Sequence, residues 1–135
     1  MAAAKTILII DDDKDMVNTT RIILESGNYA VEAAYNGKDG YSMIEKHPPD
    51  LILLDVMMST NTEGFDLAYK LKNSKQYRDI PIIMLTSFPR EITLQGPEKF
   101  QHILGENWPV SEFFEKPVDP DELLAVIQDL LEGKP

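Results

Sequence analysis

The sequence predicts an α/β fold, a single doubly wound, five-stranded parallel sheet with helices on both faces. Three observations predict it. Aliphatic runs such as Ile7-Leu8-Ile9-Ile10 and Leu51-Ile52-Leu53-Leu54 lack polar alternation, so they read as strands covered on both faces. Helical patterns separate these runs, and strands alternate with helices five times. Residues able to do chemistry stand directly after the runs, and right-handed crossovers bring all strand carboxyl ends to one edge of the sheet.

Each element has its own signal. Thr6 to Ile10 is the first strand, and Asp11, Asp12 and Asp13 follow it at once. From Lys14 to Ser26 the apolar residues Met16, Val17, Ile23 and Leu24 recur at helical spacing, and Gly27 supplies the stop. Tyr29 to Tyr35 is a weaker strand ended by Asn36-Gly37. A helix from Lys38 to Lys46 turns Tyr41, Met43 and Ile44 inward, and Pro48-Pro49 closes it. Leu51 to Asp55 is the third strand, and Val56 to Glu63 is a loop. Phe65, Leu67, Ala68 and Leu71 mark the next helix, which frays into Asn73-Ser74-Lys75. Pro81 to Leu85 is another buried run, ending in Thr86-Ser87.

The stretch Phe88–Glu112 is broken by Pro89, Gly96, Pro97, Gly105 and Pro109, with a helical pattern only from Pro97 to Leu104. Phe113-Phe114 forms a short final strand before Glu115-Lys116-Pro117. The last helix has the fullest signature. Asp119 is its N-cap, Pro120 its first position and Glu122 a capping-box partner; Leu123, Leu124, Ile127, Leu130 and Leu131 form its stripe, and Gly133 ends it.

Bulk composition narrows the function. The 135 residues suit one domain, 1–135, with no linker to a second, so no output domain is expected. A net charge of −10 argues against direct nucleic-acid binding. The absence of cysteine excludes disulfides and thiolate metal sites, and two separate histidines make a histidine-rich site improbable. The opening Met-Ala-Ala-Ala-Lys leads into an apolar run too short for a signal or membrane segment, so a cytoplasmic protein is expected. The sequon Asn18-Thr19-Thr20 is then a chance match. His47 and His102 read as structural or solvated, and Trp108 as a packing anchor in the long loop.

Four strand ends converge, carrying Asp11, Asp12 and Asp13, then Asp55, then Thr86, then Lys116. Singly, each has an ordinary explanation as a turn, cap or surface residue; jointly they stand on one edge. Gathered carboxylates repel by about 4 kcal/mol per pair at 4 Å and an effective dielectric near 20. Either some acids point away or a cation binds between them. All-oxygen ligands suit a hard divalent ion, and Mg2+ is the natural choice beside a phosphate. Asp55 can then serve as a nucleophile that forms an aspartyl phosphate, with a threonine hydroxyl and a lysine ammonium to meet the phosphoryl oxygens.

The stretches Ile7-Leu8-Ile9-Ile10-Asp11-Asp12, Leu51-Ile52-Leu53-Leu54-Asp55, Ile83-Met84-Leu85-Thr86 and Phe113-Phe114-Glu115-Lys116-Pro117 together resemble the receiver domain of response regulators, the CheY-like phosphoacceptor modules of two-component signalling. The resemblance covers essentially the whole chain and implies a flavodoxin-like fold. It implies that Asp55 is the phosphorylated aspartate, and that Asp11, Asp12 and the Met57 backbone carbonyl hold Mg2+ together with Asp55. Thr86 corresponds to the switch hydroxyl, Lys116 to the lysine that contacts the phosphoryl group, and Phe113 to the switch aromatic. Asp13, one beyond the acidic pair, is left to cap the first helix.

The chain departs from the family pattern at Ser59, where a proline is common, at a late Gly64, and at Ser87, where alanine is common. Thirty positions separate Thr86 from Lys116, more than usual, and the extra residues fall where the fourth helix and its loops belong. A sensor histidine kinase or phosphotransfer protein is the implied donor. Phe88–Glu112 and the last helix are the implied contact with a downstream protein, and a homodimer is left open. Such a protein is a switch rather than an enzyme, with at most its own autophosphorylation and autodephosphorylation.

Three rivals make different demands. A magnesium-dependent phosphohydrolase commonly has a second acid two positions after its nucleophile, where this chain has Met57. A nucleotide or flavin binder needs a glycine- or hydroxyl-rich loop after the first strand, where this chain has acids. A never-phosphorylated interaction scaffold would have lost an acid, the threonine or the lysine, and none is lost.

Overall fold

The computed structural model describes residues 4–55, 63–86, 112–115 and 119–132. Five strands, β1 (Thr6–Ile10), β2 (Ala30–Ala34), β3 (Leu51–Asp55), β4 (Ile82–Thr86) and β5 (Glu112–Glu115), pair in parallel in the order β2-β1-β3-β4-β5. The described helices are α1 (Lys14–Ser26), α2 (Gly37–Lys46), α3 (Glu63–Lys72) and α4 (Pro120–Leu131). The expected parallel α/β sheet with five strands is the observed one.

The unbroken apolar runs are explained by two cores. Alternate residues of each strand go to opposite faces. Leu8, Ile10, Ile52, Leu54, Ile82 and Met84 join Ile44 of α2 and Leu67, Ala68 and Leu71 of α3. Ile7, Ile9, Leu51, Leu53, Ile83 and Leu85 join Val17 and Leu24 of α1 and Leu123 and Ile127 of α4. All five residues of β3 are buried, which no half-exposed strand would show.

Helix ends follow side-chain chemistry. Asp13 caps α1, accepting from the amides of Asp15 at 3.0 Å and Met16 at 3.2 Å. Asn36 caps α2 by accepting from the Asp39 amide at 2.7 Å, so Asn36-Gly37 opens a helix as well as ending a strand. Asp119 caps α4, accepting from the Asp121 amide at 2.9 Å and the Glu122 amide at 3.4 Å, with Pro120 in the first turn as expected.

Some boundaries and reasons differ from expectation. The second strand is shorter by one residue at each end, Ala30–Ala34, while β4 begins one residue later than expected and includes Thr86. Gly27 does close α1, but at φ −93° it needs no left-handed freedom; Asn28, at φ 69°, takes that conformation. Gly27 is needed for closeness instead, since a Cβ there would lie 3.0 Å from Leu124 Cδ2 on α4. Gly40, inside α2, is closer still: its Cβ would meet Ile10 Cδ1 at 2.6 Å. The glycine lets α2 lie directly on β1. The helical pattern from Pro97 to Leu104 and the residues His102, Trp108 and Gly133 lie outside the described residues; His47 is exposed.

Candidate phosphoacceptor and metal site

The chain runs outward from β1 to β2 in one direction and from β1 to β3 in the other, so a topological switch point lies between β1 and β3. Ile10 pairs with Leu54, which brings the next residues of both strands, Asp11 and Asp55, to the same level at the carboxyl edge. Both are buried, at 1% and 4% exposure. Asp12 is exposed. One carboxylate oxygen from each of Asp11, Asp12 and Asp55 lies within 4.8 Å of the others.

The three consecutive aspartates divide their work. The Asp11 amide donates to the Ala34 carbonyl at 3.1 Å, which ties the end of β1 to the end of β2. Asp11 Oδ1 accepts from the Asp13 amide at 2.9 Å, so the buried acid also shapes the turn into α1. Asp13 points into its own helix cap and stands outside the acidic trio. The assignment of Asp13 to capping therefore agrees with the geometry.

Three carboxylates this close repel one another, and burying two of them removes the water that would screen the repulsion. An all-oxygen trio of this kind fits a hard divalent cation and offers nothing to a soft one.

Register places the next expected residue. Asp55 pairs with Leu85, and Thr86 follows Leu85 at the end of β4, opposite Glu115. Thr86 is thus on the same sheet edge as the trio. Phe113 occupies β5 opposite Met84. Lys116, next in sequence after Glu115, and Met57, two after Asp55, lie outside the described residues.

A neighbouring pair escaped the reading of motifs. The Lys14 ammonium lies over the Tyr35 ring, 5.6 Å from its centroid. Tyr35 follows Ala34, the residue bonded to the Asp11 amide, and is 40% exposed. No spacing rule joins a helix-start lysine to a strand-end tyrosine; only the β1-β2 pairing does.

Comparison with known proteins agrees with this architecture. The response regulator receiver domain profile matches residues 7–128. The chain belongs to the response regulator receiver family. Among curated relatives, the response regulator GtcR of Aneurinibacillus migulanus is 34% identical over 93% of the chain and 47% of its own length. The chain spans about half the length of that relative and of others such as Rre1 and RpaA of Synechocystis. Among solved structures, a CheY-like receiver domain protein from Methanospirillum hungatei is 30% identical with a TM-score of 0.77, over 96% of this chain and 94% of that one. The signal receiver domain of a histidine kinase from Syntrophus aciditrophicus is 29% identical with a TM-score of 0.80, over 96% of this chain and 92% of that one. The receiver fold and its place in two-component signalling are thereby shown. Among the described residues, no helix is long and apolar enough to cross a membrane.

Proposed function

We propose that this receiver domain is a phosphoryl-accepting switch with Asp55 as the acceptor. The observation that carries the reading is the trio at the β1-β3 switch point, where a buried Asp55 stands with Asp11 and Asp12 inside a 4.8 Å cluster of carboxylate oxygens. In the step, an Asp55 oxygen attacks phosphorus and a new O–P bond forms. The P–N bond of a phosphohistidine donor breaks, and its electron pair goes to the imidazole nitrogen, which takes up a proton. The donor is a histidine kinase or phosphotransfer protein.

Asp11, Asp12, Asp55 and the Met57 carbonyl are the residues that would hold Mg2+, which would supply countercharge to the phosphoryl oxygens. Thr86 donates its hydroxyl to a phosphoryl oxygen, and Lys116 contributes an ammonium. Phosphorylation adds about −1.5 to −2 charge and three acceptor oxygens. Thr86 and Lys116 move towards that charge, and Phe113 takes the vacated space. Residues 1–135 act as one receiver in the cytoplasm, and the output is a change in contacts with a downstream protein through 88–112 and α4. The domain is a switch and turns over no separate substrate.

Incubation with acetyl phosphate and magnesium, followed by intact-protein mass measurement, tests the assignment. The wild-type chain is expected to gain one phosphoryl group, and Asp55→Asn none. Equal labelling of Asp55→Asn would remove Asp55 from the role.

A further inference from the structure

We infer that Lys14, steered by the face of Tyr35, is a specificity-determining residue for the phosphoryl donor, favouring donors of higher negative charge. The inference rests on Asp55 being the acceptor.

The problem it answers is electrostatic. The donor is an anion, the chain carries a net charge of −10, and the site itself opens with three carboxylates. An approaching phosphate is repelled before any short-range contact can hold it. A cation fixed at the mouth offsets that repulsion over distances comparable with the Debye length, about 8 Å at physiological salt.

Lys14 is placed for this. It is the first residue of α1, and the turn that precedes it is held by the hydrogen bond from the Asp13 amide to Asp11 Oδ1. Three acidic neighbours in sequence, Asp12, Asp13 and Asp15, compete for its ammonium. It is instead found over the Tyr35 ring, 5.6 Å from the centroid. Ring and ammonium attract through the ring quadrupole. The residue before Tyr35, Ala34, accepts from the Asp11 amide, so the chain leaves β2 for Tyr35 next to the end of β1 that carries Asp11. Lys14 is exposed and Tyr35 is 40% exposed, so the pair is open to solvent, with Lys14 two residues after Asp12 and Tyr35 one after the end of β2. Lys14 there acts on the oxygens of the donor that stay outside the acid cluster, a separate task from the close contact assigned to Lys116.

Labelling kinetics with two small donors of different charge test it. Acetyl phosphate is a dianion at neutral pH, and phosphoramidate carries about one net negative charge. With saturating magnesium and low salt, Lys14→Gln is expected to raise the half-saturating acetyl phosphate concentration roughly three-fold, the scale of one charge acting on a dianion about 10 Å away in water. The rise with phosphoramidate is expected to be smaller, and the maximal rate and magnesium dependence to stay within about two-fold. Lys14→Arg should restore the wild-type value, and Tyr35→Leu should fall between. At 1 M salt, where the Debye length is about 3 Å, the difference should vanish.

An unchanged half-saturating concentration in Lys14→Gln, or a change equal for both donors and insensitive to salt, overturns the inference while leaving Asp55 in place. Labelling of Asp55→Asn, or no labelling of the wild type, overturns the acceptor assignment and the inference with it.

Discussion

Gly40 shows how much a single missing methyl can decide. A Cβ at this position would lie 2.6 Å from Ile10 Cδ1 and 3.0 Å from Ile10 Cγ1, and Ile10 is fully buried in the sheet. Ile10 also immediately precedes Asp11, so pressure there is transmitted to the acids. Alanine would gain about 1 kcal/mol of helix propensity but force overpacking that typically costs about 1–3 kcal/mol. Gly40→Ala is therefore expected to lower the unfolding free energy by about 1 kcal/mol in urea titration, and Ile10→Val in the same chain to recover part of the loss. A more stable Gly40→Ala protein would show that helix propensity outweighs the contact. Nothing in the sequence marks this glycine, because its reason lies on another element. Asp55 is the opposite case. Its run of four apolar residues announces a doubly covered strand, and the residue after such a run lands on the functional edge. The pairing of Lys14 with Tyr35 was illegible for the same reason as Gly40.

At the level of elements, caps were the most legible features because they are local. Asp119-Pro120 with Glu122 following predicts the start of α4, and Asp13 before a helical pattern predicts the start of α1; both carboxylates accept from amides in the first turn. These two caps are expected to differ in consequence. Asp119→Ala should cost about 1 kcal/mol of stability and leave labelling of Asp55 intact. Asp13→Ala should cost a similar amount and also alter labelling kinetics, since the side-chain cap it removes steadies the turn that joins Asp11 to Lys14. Urea titration beside a labelling time course separates the two. Equal labelling rates in both variants would show that the cap is structurally independent of the site. β2 was harder to delimit. Ala-Val-Glu-Ala-Ala has little intrinsic strand preference, and the pairing of Thr6 to Ile10 with Ala30 to Ala34 makes it a strand.

For the whole molecule, the alternation of strands and helices predicted the parallel sheet, whereas local pattern says nothing of which strands are neighbours. The order β2-β1-β3-β4-β5 is what turns separate acids into one cluster, because Asp11 and Asp12 follow β1 and Asp55 ends β3. Folding therefore forces the carboxylates together, and an ion that relieves them stabilises the native state. At a magnesium concentration 100 times its dissociation constant the gain is about 2.7 kcal/mol, which corresponds to a rise in melting temperature on the order of 5–10 °C. Scanning calorimetry with magnesium and after chelation should show this rise, reversed by the chelator. Asp12→Ala should melt higher than the wild type without the ion and respond far less to its addition. An equal response in Asp12→Ala would show that magnesium acts elsewhere.

The pairing of β1 with β3 also sets a timetable for synthesis. The Thr6 amide donates to Asp50 Oδ2 at 2.8 Å and the Asp50 amide donates to the Thr6 carbonyl at 2.8 Å, across a separation of 44 residues. As the chain leaves the ribosome, one side of β1 can be occupied by β2 early, but the other must wait until Leu51 to Asp55 has emerged. Until then a run of buried-type aliphatic residues presents an open strand edge, the kind of surface on which nascent chains misassociate. The same delay means that the acidic cluster does not exist in a half-made chain. A translation product halted before Leu51 has only two of the three carboxylates, Asp11 and Asp12, and lacks the strand that brings the third beside them.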